Sequence, residues 1–583
     1  MEKLAVTGWM RIARFWRVFL LFVVAAYLVY PLLGKGYFLG HETLAPQYRV
    51  YGIDLAVASG QFPPKVLPNL VNGLGYGWNI FYSPLAYDFT WAISELGFSY
   101  TTSLKLVHFL AILLSGVFIY VLLKRITGHT TAALIAAVLY MAAPYRLVDL
   151  YVRNAYAESF AFVFLPVVFL GVYEIFHGDP RRWWIFAAGM AGMVLTHNIS
   201  GLYCALFVAA YVATQVRRFG KEIVLLRSLG LAALMSILLT AYFIGPLLEH
   251  KAANSYAIFN SEVARMLYIS AEHLHDHAVK PWQLFSHNFI LGASEPLASN
   301  KPEMSFLLSI PLMVFAAMGL YAMRRHAAWG FVRFSIAAAL LSLVMLLEIF
   351  PWELMPGFLY YIQFPWRLLL FTVFFLSLVG GTAVLLVPEK YHRAVFIVPV
   401  VTLLCAYVFN FIKPNYDASI SDTSIPAVED VRRFDSLVGT ARAEYLPLIS
   451  VEQLDYLRAH SGAPLVLGGA ATLVPLARFG TNLTMNVSIN SAEALIELPL
   501  VHYLGYQATL QTNDGLMHPL HVFEGSNGLS NIVLRDSGLV AVRYGITPWS
   551  TVAYTMSLIG LIWLVLSAAR SIRCRLKETH TVE

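Results

Sequence analysis

Two carboxylates in one polar stretch are the first residues of this chain that could do chemistry. The stretch, residues 34–87, follows the first apolar run and is rich in glycine and proline, which indicates a long loop beside the membrane. Glu42 and Asp54 lie in it, and either could be a general base that accepts a proton from a substrate hydroxyl. A turn or capping role for Glu42 is the alternative, because it sits near Gly40 and Pro46.

Basic and polar side chains near the ends of apolar runs form a candidate binding set. Charged residues close to membrane spans are costly and by default mark function. Several arginines on one face of a membrane protein favour an anionic ligand such as a phosphate group. The candidate binding residues are His41, Arg49, Arg146, Arg153, Glu158, His197 and Arg367.

The same residues also have simpler interpretations. Arg146 and Arg367 could extend their charged ends to lipid headgroups. Arg153 and Glu158 could pair with each other across about one helical turn. His197 could be a buried histidine that only makes hydrogen bonds. At the level of sequence, both the binding interpretation and these alternatives stay open.

The sequence contains little that indicates a bound metal or nucleotide cofactor. His273, His275 and His277 alternate along the chain, which would place them on one side of a strand, and imidazoles suit zinc. No carboxylate or cysteine set of ligand spacing accompanies them, so we predict no metal site there, and a need for a divalent metal stays open. The chain has no Walker loop, GxGxxG motif after a strand or nucleophile elbow, so we expect no nucleotide cofactor.

Membrane helices are the elements that must position these residues. Of the 583 residues, 58% are hydrophobic and 13% are charged, whereas soluble domains have about a quarter charged. A helix needs about 20 apolar residues to cross a bilayer. The candidate spans are 16–33, 104–123, 130–147, 157–176, 183–197, 199–216, 226–247, 305–323, 329–349, 366–387, 394–412 and 549–569. The sequence therefore predicts a polytopic α-helical membrane protein with about 12 transmembrane helices.

Basic residues in the short loops set the expected orientation. If the N-terminus is cytoplasmic and the spans alternate, every short cytoplasmic loop carries Lys or Arg, as the positive-inside rule requires. Both termini are then cytoplasmic, and the first span is not cleaved. The outer segments are 34–103, 250–304 and 413–548, and residues 79–97 stay outside as a half-buried or re-entrant helix.

The composition changes after residue 412. Residues 413–548 contain short runs of alternating hydrophobicity separated by Gly, Asn, Asp and Ser, which indicates β-strands. A segment of about 135 residues is one domain of ordinary size, and we expect an extracytoplasmic β-rich domain, a sandwich or jelly roll. The chain is thus divided into a transmembrane domain, 1–412, this β-rich domain, and a last helix with a basic cytoplasmic tail, 549–583.

Several segments resemble a family of bacterial membrane proteins. They are GHETLAPQYRVYGIDLAVASGQFPPKVLPNLVNGLGYGWNIFYSPLAY, YVRNAYAESFAFVFLPVVFL, LTHNISGLY, IQFPWRLL and AEYLP, with a similar layout from LPLVHYLGYQATL onward. These segments resemble the multi-pass proteins labelled 6-pyruvoyl-tetrahydropterin synthase-related. They are also similar to YfhO-like proteins and, more widely, to glycosyltransferases of the GT-C fold. The matching segments run from residue 36 to residue 447.

The resemblance implies sugar transfer outside the cytoplasmic membrane from a polyprenyl-phosphate sugar. An acidic residue of the first outer loop would be the catalytic base, and that position falls on Glu42. The relatives more often have aspartate there, and His41 takes the place of the second acid of some GT-C enzymes. The arginines of the binding set, Arg49, Arg146, Arg153 and Arg367, would hold the phosphate.

The sequence as a whole favours a GT-C-like glycosyltransferase of the bacterial inner membrane. Its partners would be a polyprenyl-phosphate-linked donor, an extracytoplasmic glycan or lipid acceptor, and membrane lipids, but no nucleic acid. The alternatives are a lipid-linked glycan transporter or flippase and a non-catalytic scaffold for envelope assembly. A transporter should show an internal repeat or paired broken helices near the midplane, and a scaffold should tolerate loss of Glu42.

Overall fold

Helices make up most of the described chain, and the longer β-strands lie toward its C-terminal end. The computed structural model describes residues 2–38, 40–42, 45–253, 256–260, 262–263, 269–285, 304–392, 416–417 and 444–580. The first helices are α1 (Glu2–Val29), α2 (Ala45–Ala58), α3 (Trp78–Phe81), α4 (Leu85–Ser94), α5 (Tyr100–Thr127), α6 (Thr130–Met141), α7 (Pro144–Val148), α8 (Tyr156–Ala161), α9 (Phe164–His177), α10 (Trp183–Thr196), α11 (Asn198–Thr214), α12 (Val216–Phe219) and α13 (Ile223–Ala253). A π-helical turn, Asp149–Arg153, continues α7.

In the described part of the chain, seven further α-helices follow α13. They are α14 (Ala271–Asp276), α15 (Ile310–Met323), α16 (Trp329–Leu346), α17 (Leu369–Gly380), α18 (Leu448–Val451), α19 (Leu454–Ala459) and α20 (Pro548–His580). Short 3-10 helices are Tyr30–Leu33, Pro180–Arg182, Ala257–Phe259, Pro281–Phe285, Trp352–Leu354, Gly357–Ile362, Pro365–Leu368, Gly381–Leu386 and Glu389–Tyr391.

Several helical stretches are long and apolar enough to cross a membrane. In the described part of the chain they are Trp16–Leu33, Tyr100–Thr127, Tyr156–His177, Ile223–Ala253, Trp329–Leu346, Pro365–Leu386 and Pro548–Ser571. The pair Thr130–Met141 and Pro144–Arg153 is an eighth candidate, bent by 43°. The bend falls where proline begins the second helix and its ring prevents the first from continuing. These stretches make the chain a multi-pass membrane protein.

The predicted number of about 12 spans is not confirmed. α10 and α11 have 14 and 17 residues, which at 1.5 Å per residue gives about 21 and 26 Å, less than the apolar core of about 30 Å. His197 separates them in an extended conformation. α15 has 14 residues and is equally short. The predicted span 394–412 lies outside the described residues.

The first outer segment contains a helix that the sequence did not indicate. α2 lies within 34–87, and its buried positions include both apolar and polar residues, so no hydrophobic stripe marks it. Gln47 and Arg49 are buried beside Tyr48 and Val50. A helix covered on almost every side holds its polar side chains in fixed positions, which is what a site requires.

Residues 79–97 fold as two short helices separated by Pro84. α4 has 10 residues, about 15 Å, and cannot cross the bilayer. Ala86 and Tyr87 are buried, whereas Phe89 is exposed. The half-buried helix predicted for this stretch is present in the structure.

Two antiparallel sheets form the C-terminal β-region. Their strands are β3 (Leu465–Gly468), β4 (Ala471–Phe479), β5 (Asn482–Ile489), β6 (Ala494–Val501), β7 (Tyr506–Thr512), β8 (Met517–Leu520), β9 (Phe523–Glu524), β10 (Leu529–Leu534) and β11 (Gly538–Tyr544). The orders are β3-β6-β10-β9 and β4-β5-β11-β7-β8. Alternate side chains of the longer strands, such as Met485, Val487 and Val540, are buried. A β-rich region is confirmed.

The N-terminal part of the predicted β-rich segment is mostly outside the described residues. Of 413–443, the structure describes Tyr416–Asp417, which is strand β2. It pairs antiparallel with β1 (Tyr37–Phe38) from the first outer segment. The described strands of the two sheets begin at Leu465.

The β-region rests directly on the first outer segment. Gln61 Nε2 donates to Thr481 Oγ1 at 2.9 Å, and Asn482 Nδ2 donates to the Ser59 carbonyl oxygen at 2.8 Å. A Cβ added to Gly77 would lie 2.6 Å from the ring of Tyr503, so the two parts approach too closely for any side chain there. These contacts fix the segment that holds Glu42.

Candidate functional site

The backbone at Glu42 lies along the last residues of the bent helix pair. The His41 N–H donates to the Val152 carbonyl oxygen at 3.0 Å. The Glu42 N–H donates to the Arg153 carbonyl oxygen at 3.2 Å. A Cβ added to Gly40 would lie 3.0 Å from the Val152 oxygen, so glycine permits this close approach. The loop and the buried arginine segment therefore form one site.

Arg49 holds the Glu42 carboxylate in place. Arg49 Nη1 lies 2.9 Å from Glu42 Oε2 and donates to the Tyr87 hydroxyl at 2.6 Å. Its guanidinium carbon lies 3.7 Å from the centre of a Trp78 ring, a cation–π contact. The Arg49 side chain is 6% exposed and that of Glu42 is 42% exposed. A fixed base with an open face can be approached by a substrate hydroxyl.

Burial and neighbouring charge set the protonation states around this pair. Burial alone would lower the pKa of Arg49, but the nearby Tyr87 and Glu42 oxygens outweigh this effect. The pKa of Arg49 is raised above its usual value, so the guanidinium stays charged. Burial raises the pKa of Tyr87 to about 12, so its hydroxyl stays protonated. Desolvation by the surrounding protein, followed by the charge of Arg153, lowers the pKa of the solvent-accessible His41. His41 is therefore neutral at pH 7 and adds no positive charge.

A buried ion-pair network lies behind the Glu42 loop. Arg153 Nη1 lies 2.6 Å from Asp149 Oδ1 and 2.8 Å from Glu158 Oε2. Arg367 Nε lies 3.3 Å from the same Glu158 oxygen. The Tyr145 hydroxyl donates to Glu158 Oε1 at 2.6 Å. The pairing of Arg153 with Glu158 that the sequence left as an alternative is thus present, and it joins two of the candidate arginines.

Arg146 is fully buried and does not reach lipid headgroups. It donates from Nη1 to Ser159 Oγ at 2.9 Å and to the Ser159 carbonyl oxygen. Its guanidinium carbon lies 4.3 Å from the centre of the Phe162 ring. Its Nε and Nη2 have no hydrogen-bond partner among the described residues. The headgroup interpretation of Arg146 is therefore wrong, because a buried guanidinium with unused donors faces the protein interior.

The buried network has one positive charge in excess. Its guanidinium groups outnumber its carboxylates by one, and the Glu42–Arg49 pair leaves that balance unchanged. The residues counted are Arg146, Arg153, Arg367, Asp149 and Glu158. A buried charge without a partner is costly. The network therefore suits one added negative charge, such as that of a phosphodiester.

His197 has a local structural role. Its Nδ1 lies 2.8 Å from Ser200 Oγ, and the same nitrogen accepts from the Ser200 N–H at 3.4 Å. The imidazole therefore caps the N-terminus of α11. Its ring centre is 6.2 Å from that of Tyr82. The hydrogen-bonding interpretation fits these contacts, and ligand contact by His197 stays a prediction.

Asp54 is not brought to the Glu42–Arg49 pair. Its two carboxylate oxygens accept from Trp91 Nε1 at 3.3 Å and from the Tyr100 hydroxyl at 2.7 Å. These bonds join α2 to α4 and α5. Asp54 follows Arg49 by five residues, which places it on another face of α2. A catalytic role for Asp54 stays a prediction, with contacts that suit helix packing.

His273 and His275 lie on a helix rather than on a strand, and His277 follows the end of that helix. Ser270 accepts from the His273 N–H at 3.1 Å and begins α14. The strand predicted from the alternation of His273, His275 and His277 is therefore wrong, because a serine N-cap outweighs a pattern of three residues. His273 and His277 have ring centres 3.9 Å apart. The described residues contain no group of three or more side chains that could hold a metal ion.

Some site residues were missed by sequence reasoning. Tyr87 and Tyr145 hold Arg49 and Glu158, yet a single tyrosine in an apolar stretch carries no distinguishing signal. Asp149 belongs to the same charged stretch of the sequence as Arg146, Arg153 and Glu158, and its ion pair with Arg153 has the four-residue spacing of a helical pair. The Arg49–Trp78 contact joins separate elements and has no local sequence signature.

The known proteins that this chain resembles in sequence are distant from it. No family model matches the chain, so the family name suggested by the resemblance is not confirmed. An uncharacterized protein of Lactococcus lactis subsp. cremoris (strain MG1363) is 27% identical over 338 residues, which are 56% of this chain and 52% of that protein. The chain thus spans about half the length of this curated relative.

The chain has a low structural similarity to two solved glycosyltransferases. The cryo-EM structure of the arabinofuranosyltransferase AftD from Mycobacteria has a TM-score of 0.44 at 15% identity, covering 80% of this chain and 30% of that one. The crystal structure of ArnT from Cupriavidus metallidurans bound to undecaprenyl phosphate has a TM-score of 0.36 at 14% identity. The match covers 78% of this chain and 73% of that one.

Proposed function

We propose that this chain is a membrane glycosyltransferase of the bacterial inner membrane. It would transfer a sugar from a polyprenyl-phosphate donor to an extracytoplasmic glycan or lipid acceptor. The observation that supports this most is the half-exposed Glu42 carboxylate, held by buried Arg49 beside a network with one unmatched positive charge. A base for a hydroxyl and a counter-charge for a departing phosphate are the two groups that the reaction needs.

Glu42 is the proposed general base. Its Oε2 is engaged by Arg49, and its Oε1 has no hydrogen-bond partner among the described residues. The acceptor hydroxyl gives its proton to the carboxylate as its oxygen forms a bond to the anomeric carbon. The bond between that carbon and the phosphate oxygen breaks, and the phosphate leaves with the electron pair. Attack opposite the leaving group inverts the configuration at the anomeric carbon.

The buried arginines are proposed to stabilise the departing phosphate. Arg153 and Arg367 share one Glu158 oxygen, so a phosphate could take over part of the interaction of either guanidinium. Arg146 has two unused donor nitrogens in the described structure. Fixed donors in a water-poor site stabilise developing negative charge better than water does, because they need no reorganisation.

A resident divalent metal does not fit the described residues. Glu42 faces the guanidinium of Arg49 instead of a second carboxylate, and Asp149 and Glu158 are occupied by Arg153. Oxygen ligands for Mg²⁺ or Mn²⁺ are usually supplied by free carboxylates. The arginines therefore supply the charge stabilisation in the proposed reaction.

Donor binding tests the assignment of the arginines. Arg367→Gln should weaken binding of undecaprenyl phosphate roughly tenfold, because one charge-assisted hydrogen bond is lost. Lys124→Gln is the control, since Lys124 lies near the C-terminal end of α5 and donates to Thr130. Binding is measured by native mass spectrometry of the purified protein. Equal losses in the two variants would indicate general headgroup contact and would contradict the proposal.

Membrane orientation is a separate prediction. With both termini cytoplasmic, cysteines at the exposed positions Asn513 and Ser526 should react with an impermeant maleimide in intact spheroplasts. A cysteine at exposed Arg181 should react only after lysis. The native Cys204, Cys405 and Cys574 are replaced first. Labelling of position 181 in intact spheroplasts would overturn the orientation and place Glu42 on the wrong side for an extracytoplasmic acceptor.

A further inference from the structure

Tyr82 lies one aromatic ring away from the Glu42–Arg49 pair. It ends α3, and its N–H donates to the Trp78 carbonyl oxygen at 2.8 Å. Its ring centre lies 4.6 Å from that of Trp78, which also contacts the Arg49 guanidinium. The Trp78 ring therefore links Tyr82 to the arginine that holds Glu42.

The hydroxyl of Tyr82 is an unused polar group. The Tyr82 side chain is half-buried, and its hydroxyl makes no hydrogen bond among the described residues. Desolvation by the surrounding protein, followed by the nearby Tyr87 and Glu42 oxygens, raises the pKa of Tyr82 well above its usual value. The hydroxyl therefore stays protonated, and it can both donate to a ligand and accept from one.

Two further unused donors lie beside Tyr82. Trp78 is 8% exposed, and its Nε1 has no hydrogen-bond partner in the part of the chain that the structure describes. Arg49 Nε is also buried without a partner there, although Arg49 Nη1 binds Glu42 and Tyr87. A buried donor without a partner is costly. These donors suit a ligand with several acceptor oxygens close together, and the hydroxyl groups of a sugar are such acceptors.

The position of Tyr82 fits the sugar that is transferred. In the proposed reaction, this sugar lies between the acceptor hydroxyl beside Glu42 and the phosphate beside the buried arginines. The Tyr82 hydroxyl is close enough to Glu42 and Arg49 to interact electrostatically with both. The charge of Arg367, which belongs to the buried network, acts on the same hydroxyl. Tyr82 therefore borders the space between the proposed base and the proposed phosphate site.

The charges near Tyr82 favour an uncharged sugar. Glu42 and Arg49 are paired with each other. Arg367 is paired with Glu158 and, in the proposed reaction, also stabilises the phosphate. A carboxylate on the sugar would add a second negative charge where the network has only one positive charge in excess, and an ammonium group would be repelled by two arginines. Hydroxyl groups need no counter-charge.

We propose that Tyr82 selects the transferred sugar by a hydrogen bond to one of its hydroxyl groups, and that this sugar is uncharged. The Trp78 indole N–H donates to a second hydroxyl oxygen of the same sugar. This inference rests on the proposed function, since it places the sugar between Glu42 and the buried arginines. Tyr82 acts in binding and transfers no proton, and the phosphate of the donor is bound by the arginines alone.

Binding of donor lipids to the purified full-length protein tests this inference. Native mass spectrometry compares undecaprenyl phosphate with undecaprenyl phosphates that carry glucose, galactose, mannose, glucuronic acid or glucosamine. In wild type, at least one of the three neutral sugars should raise the affinity roughly tenfold over undecaprenyl phosphate, the effect of one added hydrogen bond. The two charged sugars should not. Tyr82→Phe should abolish the gain and leave the binding of undecaprenyl phosphate unchanged.

Tyr506→Phe is the matched control. The Tyr506 hydroxyl also has no hydrogen-bond partner among the described residues, but it lies on β7 in the β-region. Neither variant removes a hydrogen bond of the described structure, so both should keep the wild-type Tm. Loss of the sugar-dependent gain in Tyr82→Phe alone is then a loss of sugar contact and not of folding.

Three results would overturn the inference. They are a sugar-dependent gain that persists in Tyr82→Phe, a gain that is largest for a charged sugar, and no gain for any neutral sugar. If undecaprenyl phosphate itself binds in the last case, only the role of Tyr82 is contradicted. If undecaprenyl phosphate does not bind to wild type either, the proposed function is contradicted and this inference with it.

Discussion

Glu42→Gln should lower the rate of sugar transfer by roughly 10²–10⁴-fold, the usual contribution of a general base. The amide keeps the size of the side chain and can still accept a hydrogen bond from Arg49, but it cannot take a proton. Binding of undecaprenyl phosphate should stay near the wild-type value, because the buried arginines are untouched. The rate is measured as release of polyprenyl phosphate from a polyprenyl-phosphate sugar in reconstituted membranes.

Two further variants make the assignment of Glu42 specific. Glu42→Asp should keep part of the activity, because the carboxylate remains and is shorter by one methylene group. Asp54→Asn is the matched control, since Asp54 is also a carboxylate on the first outer segment but is bound to Trp91 and Tyr100. Loss of transfer in Asp54→Asn with normal transfer in Glu42→Gln would move the catalytic role to Asp54. Full activity in both would favour the transporter or scaffold alternatives.

Arg153→Met should lower the free energy of unfolding by about 3–5 kcal/mol, because it leaves buried Asp149 without its ion-pair partner and Glu158 with Arg367 as its remaining one. Asp149 is fully buried and Glu158 is 2% exposed, so neither can be solvated instead. Thermal unfolding in detergent reports the change as a lower Tm. The effect on stability should exceed that of any single exposed ion pair in the protein.

Arg181→Met provides the comparison for Arg153→Met. Arg181 lies 2.9 Å from Asp179, but its side chain is 62% exposed, and such pairs contribute about 0–1 kcal/mol. Asp149→Asn combined with Arg153→Met should recover part of the lost stability, because one unpaired charge is removed. Equal Tm values for Arg153→Met and wild type would show that the network does not hold the helices together.

Sequence alone identified the features that have a repeating local pattern. Long apolar runs predicted the spans that Tyr100–Thr127 and Pro365–Leu386 form. Alternating hydrophobicity predicted strands such as β5 and β11, whose side chains are alternately buried. Both patterns are set by the solvent on each side of an element, so they can be read without knowledge of its neighbours.

The features that were missed depend on contacts between distant parts of the chain. α2 is buried on most sides by the rest of the protein, so its sequence shows no apolar stripe. Glu42 and Arg49 were both named as candidates, but their support by Trp78 and Tyr87 arises only when α2, α3 and α4 pack together. Short helices such as α10 looked like spans because apolar composition alone does not show where a helix ends.

The proposed function requires that this protein breaks the bond between a sugar and a polyprenyl phosphate. The measurement that tests it most directly is the fate of a panel of polyprenyl-phosphate sugars with the purified wild-type protein and native membrane acceptors. We expect one donor to be converted to polyprenyl phosphate, with the sugar recovered on the acceptor in inverted anomeric configuration. Recovery of every donor intact, or its appearance uncleaved in the opposite leaflet, would contradict the glycosyltransferase assignment.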